Sequence, residues 1–152
     1  MYIQRHIDRF LTEWKDSPTR KPLLLRGARQ IGKSTAVRHF GEQFDYYIEA
    51  NFEKSAALCR IFDADLPVKE IAARIAALYE TKCEPGKTLL FLDEIQACPK
   101  AIHSLWFFKE DYRELHVIAA GSLLELALHD MPTYGVGRIQ SLFMYPSRLT
   151  SF

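Results

Sequence analysis

The chain has 152 residues, 48% of them hydrophobic and 26% charged, a length and balance that suit one folded domain and exclude a disordered segment. Its 20 basic and 19 acidic residues leave a formal net charge of +1, so no whole-domain field favours nucleic acid or an anionic membrane. Apolar stretches such as 89–92 and 117–120 fall far short of the ~20 residues a membrane helix needs, and Met1-Tyr2-Ile3-Gln4-Arg5-His6 places charge where an export signal has an apolar run. Cys59, Cys83 and Cys98 are odd in number and widely spaced. With no Cys-x-x-Cys pair they do not suggest a zinc site, and they are expected as reduced thiols in a cytoplasmic protein. The alternative, one catalytic cysteine, needs a base beside it.

Ile3, Ile7, Phe10, Leu11 and Trp14 recur at helical spacing with Arg5, Asp8, Arg9 and Glu13 between them, which predicts an amphipathic N-terminal helix docked on the flank of the core. The polar loop 15–21, with Pro18, ends it, and Pro22-Leu23-Leu24-Leu25 reads as a short buried strand running into Gly27. Residues 34–40 predict a helix closed by Gly41, and 46–50 a second strand. Residues 55–60 suit one helical turn. Pro67 suits a first helical turn, and Val68, Ile71, Ala72, Ile75, Leu78 and Tyr79 predict a helix to about Glu80. After the Pro85-Gly86 turn come a strand at 88–92, a helix at 102–109, a strand at 115–120, a helix at 122–129 and a strand at 139–145. Strands alternating with helices imply parallel pairing with helices on both faces, an α/β sandwich of three layers. No internal repeat, low-complexity stretch or linker interrupts residues 1–152, so they read as one domain.

Gly27-Ala28-Arg29-Gln30-Ile31-Gly32-Lys33-Ser34 fits the P-loop (Walker A) pattern, and it lies between a predicted strand and a predicted helix as that pattern requires. The glycines permit angles and close approach that a Cβ would block, so successive N–H groups can wrap an anion. The next helix adds its partial positive charge. Lys33 is expected to reach the β- and γ-phosphates and the Ser34 hydroxyl to ligate Mg²⁺, with Thr35 also counted among the nucleotide-binding positions. Leu89-Leu90-Phe91-Leu92-Asp93-Glu94 then delivers two carboxylates at a strand's carboxyl end (Walker B), the edge where ligands of such sheets gather. Asp93 is expected to hold Mg²⁺ and Glu94 to orient and deprotonate the attacking water. Two acids after a strand, taken alone, also describe a solvated turn.

Ser122 comes after another buried strand, where it either bonds the attacking water or γ-phosphate or simply caps the next helix. Arg138, in Gly135-Val136-Gly137-Arg138, lies in no dinucleotide fingerprint; it either faces a γ-phosphate, that of a neighbouring subunit included, or is a plain surface residue. Arg26 and Arg29 raise the same choice. The five histidines show no ligand spacing and suit surface or partly buried positions.

Together these residues resemble a family, the AAA-type P-loop ATPases of bacteria and archaea (AAA+ superfamily, ASCE division). The resemblance runs from Leu25-Arg26-Gly27 through Ser34, Asn51, Leu92-Asp93-Glu94-Ile95-Gln96 and Gly121-Ser122 to Gly137-Arg138. It implies ATP and Mg²⁺, a five-stranded parallel sheet with the Ser122 strand between the P-loop strand and the Asp93 strand, and Ser122 in the sensor position. Similar proteins carry a Pro, an aromatic and an acidic residue and then a C-terminal domain, whereas this sequence reads Pro146-Ser147-Arg148-Leu149-Thr150-Ser151-Phe152. The expectation is therefore a core domain without the usual second domain, with ATP or ADP as ligand and a homo-oligomer or a missing C-terminal domain as partner. Three functions are compatible with this reading: Mg-dependent ATP hydrolysis; a nucleotide-responsive binding module with little hydrolysis; or a kinase passing phosphate to a hydroxyl, which a carboxylate beside the Mg²⁺ aspartate suits less well than water activation.

Overall fold

The computed structural model describes residues 5–27, 32–129 and 137–144. In chain order they form α1 (Arg5–Asp16), β1 (Leu23–Arg26), α2 (Lys33–Gly41), β2 (Tyr46–Asn51), α3 (Ala56–Asp63), α4 (Val68–Leu78), β3 (Thr88–Asp93), α5 (Pro99–Asp111), β4 (His116–Ala120), α6 (Leu124–His129) and β5 (Gln140–Phe143). The strands make one parallel sheet in the order β2-β3-β4-β1-β5. β4 thus lies between β1 and β3, as the family resemblance implies.

The near-continuous apolar strands are explained by two-sided burial, since successive side chains point to opposite faces. Leu23 and Leu25 of β1, Leu89 and Phe91 of β3, and Ile118 and Ala120 of β4 pack with Ile7, Leu11 and Trp14 of α1 and Val37 and Phe40 of α2. Leu24, Leu90, Leu92, Val117 and Ala119 point the other way, into a core shared with α3, α4 and α5. The result is the three-layer P-loop NTPase sandwich with an N-terminal amphipathic helix on one flank. No helix among the described residues is long and apolar enough to cross a membrane.

Several elements differ in extent from the sequence expectation. α3 is a full helix rather than one turn: it continues to Asp63 because Leu58 and Phe62, four residues apart, are both buried in the core, while Ser55 caps its start, its hydroxyl accepting from the Leu58 amide at 3.3 Å. α5 starts at Pro99, three residues before the apolar periodicity, since proline at a first helical position has no amide to leave unpaired. β5 is an edge strand of four residues, half-exposed along its length, and residue 145 lies outside the described residues. Cys59 of α3 and Cys98, just before α5, form a disulfide with Cα atoms 5.8 Å apart, which corrects the expectation of three free thiols. The pair is 39 positions apart and brought together by the packing of α3 on α5, so its spacing carried no signal. Cys83 remains a free thiol, and burial pushes its pKa up to about 11, which makes it a poor nucleophile.

His116 at the start of β4 is buried in the joint that holds α1 to the sheet. Its ring packs edge-on against Trp14 and Phe44, at 5.6 and 5.1 Å between centroids, and Nε2 lies 3.0 Å from the Lys15 carbonyl, to which its N–H form donates. Burial lowers its pKa to about 4; nearby Arg20 and Lys15 push the same way, against the Lys15 carbonyl bond and Asp16. The folded state therefore prefers the neutral ring. The unfolded chain binds the extra proton from about pH 6.5, so this stabilisation is complete above that pH and is lost as pH falls towards 4. The melting temperature should fall across that interval. His116→Gln should give a flatter profile there, and an equal slope in parent and variant would remove His116 as the cause.

Candidate functional site

β1 and β3 both end at the same edge of the sheet because every strand is parallel, and the segments that leave these two strands build the site. After Gly27 the chain reaches Gly32, whose φ of 84° lies in the left-handed region that glycine tolerates and a side chain resists. Gly32 stands immediately before α2, so the first amides of that helix open towards the sheet edge. Lys33, the first residue of α2, is buried and donates from Nζ to the carbonyls of Gly27 at 2.8 Å and Gly121 at 3.3 Å. Its ammonium is thereby tied to the ends of both β1 and β4.

Ser34 donates its hydroxyl to Oδ2 of Asp93 at 3.0 Å, joining the start of α2 to the end of β3. Glu94 donates its amide to Oδ1 of Asp93 at 2.9 Å. Its own backbone is left-handed, with φ 52° and ψ 45°, a conformation that costs a non-glycine residue about 1–3 kcal/mol and turns the chain into the 3₁₀ segment Ile95–Ala97. The Glu94 carboxylate reaches across to the end of β4. Oε1 accepts the Ser122 amide at 3.1 Å, and Oε2 accepts the Ser122 hydroxyl at 3.0 Å and the Gln96 side-chain amide at 3.1 Å.

The two carboxylates are tuned in opposite directions. Burial raises the pKa of Asp93 above the usual carboxylate range and outweighs the hydrogen bonds from Ser34 and the Glu94 amide. Burial also acts on Glu94, but the donors of Gln96 and Ser122, with a hydrogen bond to Glu53, more than offset it, so Glu94 titrates below its ordinary value.

Gly32, Lys33, Ser34, Thr35, Asp93, Glu94 and Ser122 line one open cleft of about 410 Å³. These predicted site residues, from three separate chain segments, are brought together, and Gly27 joins through its carbonyl to Lys33. Ala28, Arg29, Gln30 and Ile31 lie outside the described residues. A larger groove of about 770 Å³ runs between α4 and α5 past Phe62, Leu66 and Phe107, but its lining lacks the buried Lys33 and the linked acids.

Arg138 is not brought to the cleft. It precedes β5 at the level where Gln140 pairs with Leu23, the start of β1, and it donates to Glu110 at 2.8 Å near the end of α5. At about 1.5 Å of rise per residue, Glu110 lies roughly 17 Å along α5 from the edge that carries Asp93. Arg26 stacks over the Phe143 ring at 4.5 Å, facing β5. Sequence reasoning gave no role to Gln96 or Gly121. Their signal was their place beside Glu94 and Ser122 in the motifs.

A family model described as an AAA domain matches residues 19–152. The chain belongs to this AAA domain family. A search of curated proteins finds no relative of similar sequence. Among solved structures, the Orc1 protein of Aeropyrum pernix, determined in complex with DNA, is similar with a TM-score of 0.60 and 18% identity over 93% of this chain. At that identity the likeness concerns the fold. PCH-2 of C. elegans aligns over 94% of this chain at 14% identity and a TM-score of 0.42, a level that adds nothing to the assignment. This chain spans 44% and 39% of the lengths of those two proteins.

This AAA domain is therefore an ATPase-type nucleotide-binding core, and the expectation that Lys33 meets the phosphates has a direct test. Alanine is the best helix former, so Lys33→Ala should leave the far-ultraviolet circular dichroism unchanged while removing binding of a fluorescent ATP analogue. Retained binding at the parent affinity would show that the nucleotide lies elsewhere.

Proposed function

We propose that this domain binds Mg·ATP in the 410 Å³ cleft and hydrolyses the β–γ phosphoanhydride. The observation that supports this reading is the convergence of Lys33, the Ser34–Asp93 hydrogen bond and the Glu94–Ser122 pair on one cavity. Lys33 and the amides at the start of α2 hold the phosphates. The Ser34 hydroxyl and Asp93 carboxylate, 3.0 Å apart, are hard oxygen donors of the kind Mg²⁺ prefers. When bound, Mg²⁺ neutralises the charge that develops on the phosphate oxygens.

Glu94 takes the proton of the attacking water. The Gln96 and Ser122 donors favour its ionised form against the burial that opposes it, and the ionised form is the one that can accept a proton. Ser122 fixes the carboxylate through its amide and hydroxyl, which supports a role in the site over simple helix capping. Arg138, engaged with Glu110 at the opposite edge, contributes within one chain nothing to these steps. The same reading keeps the protein in the cytoplasm, where ATP and Mg²⁺ are supplied.

A second reading is a nucleotide-responsive module with little hydrolysis. It is favoured by one observation, that both oxygens of Glu94 already accept hydrogen bonds from the protein. Single-turnover kinetics on Glu94→Gln separate the two. Glutamine keeps the reach of the side chain but takes no proton, so hydrolysis should fall roughly 10²–10⁴-fold with Mg·ATP affinity within a few-fold of the parent, the mark of a lost transition-state interaction. A parent that binds Mg·ATP and hydrolyses it no faster than the variant leaves the module reading standing and removes the enzyme.

A further inference from the structure

The 3₁₀ segment after β3 places Gln96 between the two strand ends that carry Glu94 and Ser122. Its Nε2 donates to Oε2 of Glu94 at 3.1 Å. Its Oε1 is buried and has no hydrogen-bond partner among the described residues. The same Oε1 occupies the space that a Cβ on Gly121 would need. Gly121 is not in a left-handed conformation that would call for glycine, so the absence of its side chain is explained by the seat it leaves for the Gln96 amide.

We propose that Gln96 is a positioning residue, seated against Gly121, that holds the Glu94 carboxylate on Ser122 at the mouth of the cleft. The inference rests on the proposed hydrolysis for its consequence and on the hydrogen-bond geometry for its existence. A left-handed residue leading into a tight turn sets the Glu94 backbone, and the side chain beyond it is held by Ser122 just after β4, by Gln96 on its own turn and by a hydrogen bond with Glu53. Removing the Gln96 donor leaves Oε2 with the Ser122 hydroxyl alone of these two donors and takes away the contact from the Gln96 side. Bringing a Cβ to position 121 displaces the amide and should act in the same way, while the Gly121 carbonyl that accepts from Lys33 is retained.

A glutamine that only supports the fold would, on removal, weaken affinity along with turnover, whereas one that places Glu94 lowers turnover and leaves affinity. Gln96→Glu sharpens the distinction, since it keeps the shape of the side chain and loses the donor that reaches Oε2 of Glu94.

The test uses the full chain and its Gln96→Leu, Gln96→Glu and Gly121→Ala variants. Hydrolysis is followed by single turnover at saturating Mg·ATP and affinity by equilibrium binding. In Gln96→Leu turnover should fall roughly 10- to 10²-fold, the scale on which misplaced catalytic groups act, with Mg·ATP affinity within a few-fold of the parent. Gln96→Glu keeps the shape of the side chain but replaces the donor with a like charge, so its turnover should fall at least as far, and Gly121→Ala should behave as Gln96→Leu. An unchanged turnover in Gln96→Leu, or parent-like turnover in Gln96→Glu, with the parent active, overturns the proposal. So does a fall in turnover matched by an equal loss of affinity, which would make Gln96 a residue of the fold. A parent without hydrolysis removes the proposed function instead, and with it the catalytic consequence of the Gln96 contact.

Discussion

The position of β4 between β1 and β3 is the constraint on which the cleft depends. Parallel pairing aligns Leu25 with Ala120 and Leu92 with Ala119, so three strand ends meet at one edge. From there the chain delivers Lys33 and Ser34 at the start of α2, a pair of acids and a Gly-Ser step within hydrogen-bond reach of one another. An antiparallel β4 would present His116 at this edge and take Gly121 and Ser122 to the far side of the sheet. Lys33 and Glu94 both use that middle strand as their anchor, one through the Gly121 carbonyl and the other through Ser122.

Charge in the cleft is arranged as much as its shape. Lys33 is buried but satisfied by two carbonyls, which avoids the cost of an unpaired interior cation. Neighbouring acids are driven apart: burial dominates at Asp93 and donors dominate at Glu94. The strained backbone at Glu94 belongs to the same arrangement, since the left-handed turn is what sends Gln96 back towards the carboxylate.

The strands and helices, the P-loop pattern and the acidic strand are legible in the sequence because each is local: a run of apolar residues, a fixed spacing, a strand ending in two acids. The order of the strands is not local, and it came from the family resemblance alone. The features that escaped have the same character. Cys59 and Cys98 meet only because α3 packs on α5, and α3 runs on past Arg60 where Phe62 packs against Phe52. Gln96 reads as an ordinary polar residue until a left-handed Glu94 folds it onto its neighbour. Arg138 shows the converse, since a basic residue after a Gly-x-Gly step looks suited to a phosphate in the sequence and pairs with Glu110 at the other edge in the fold.

The central claim is that the ends of β1, β3 and β4 form one site for Mg·ATP. Titration calorimetry of the chain with ATP, in Mg²⁺ and again after chelation, tests it most directly. The account predicts saturable binding at one site per chain, weakened when Mg²⁺ is removed because Ser34 and Asp93 then lose the cation that links them to the phosphates. No saturable binding at millimolar ATP in the presence of Mg²⁺ would contradict it.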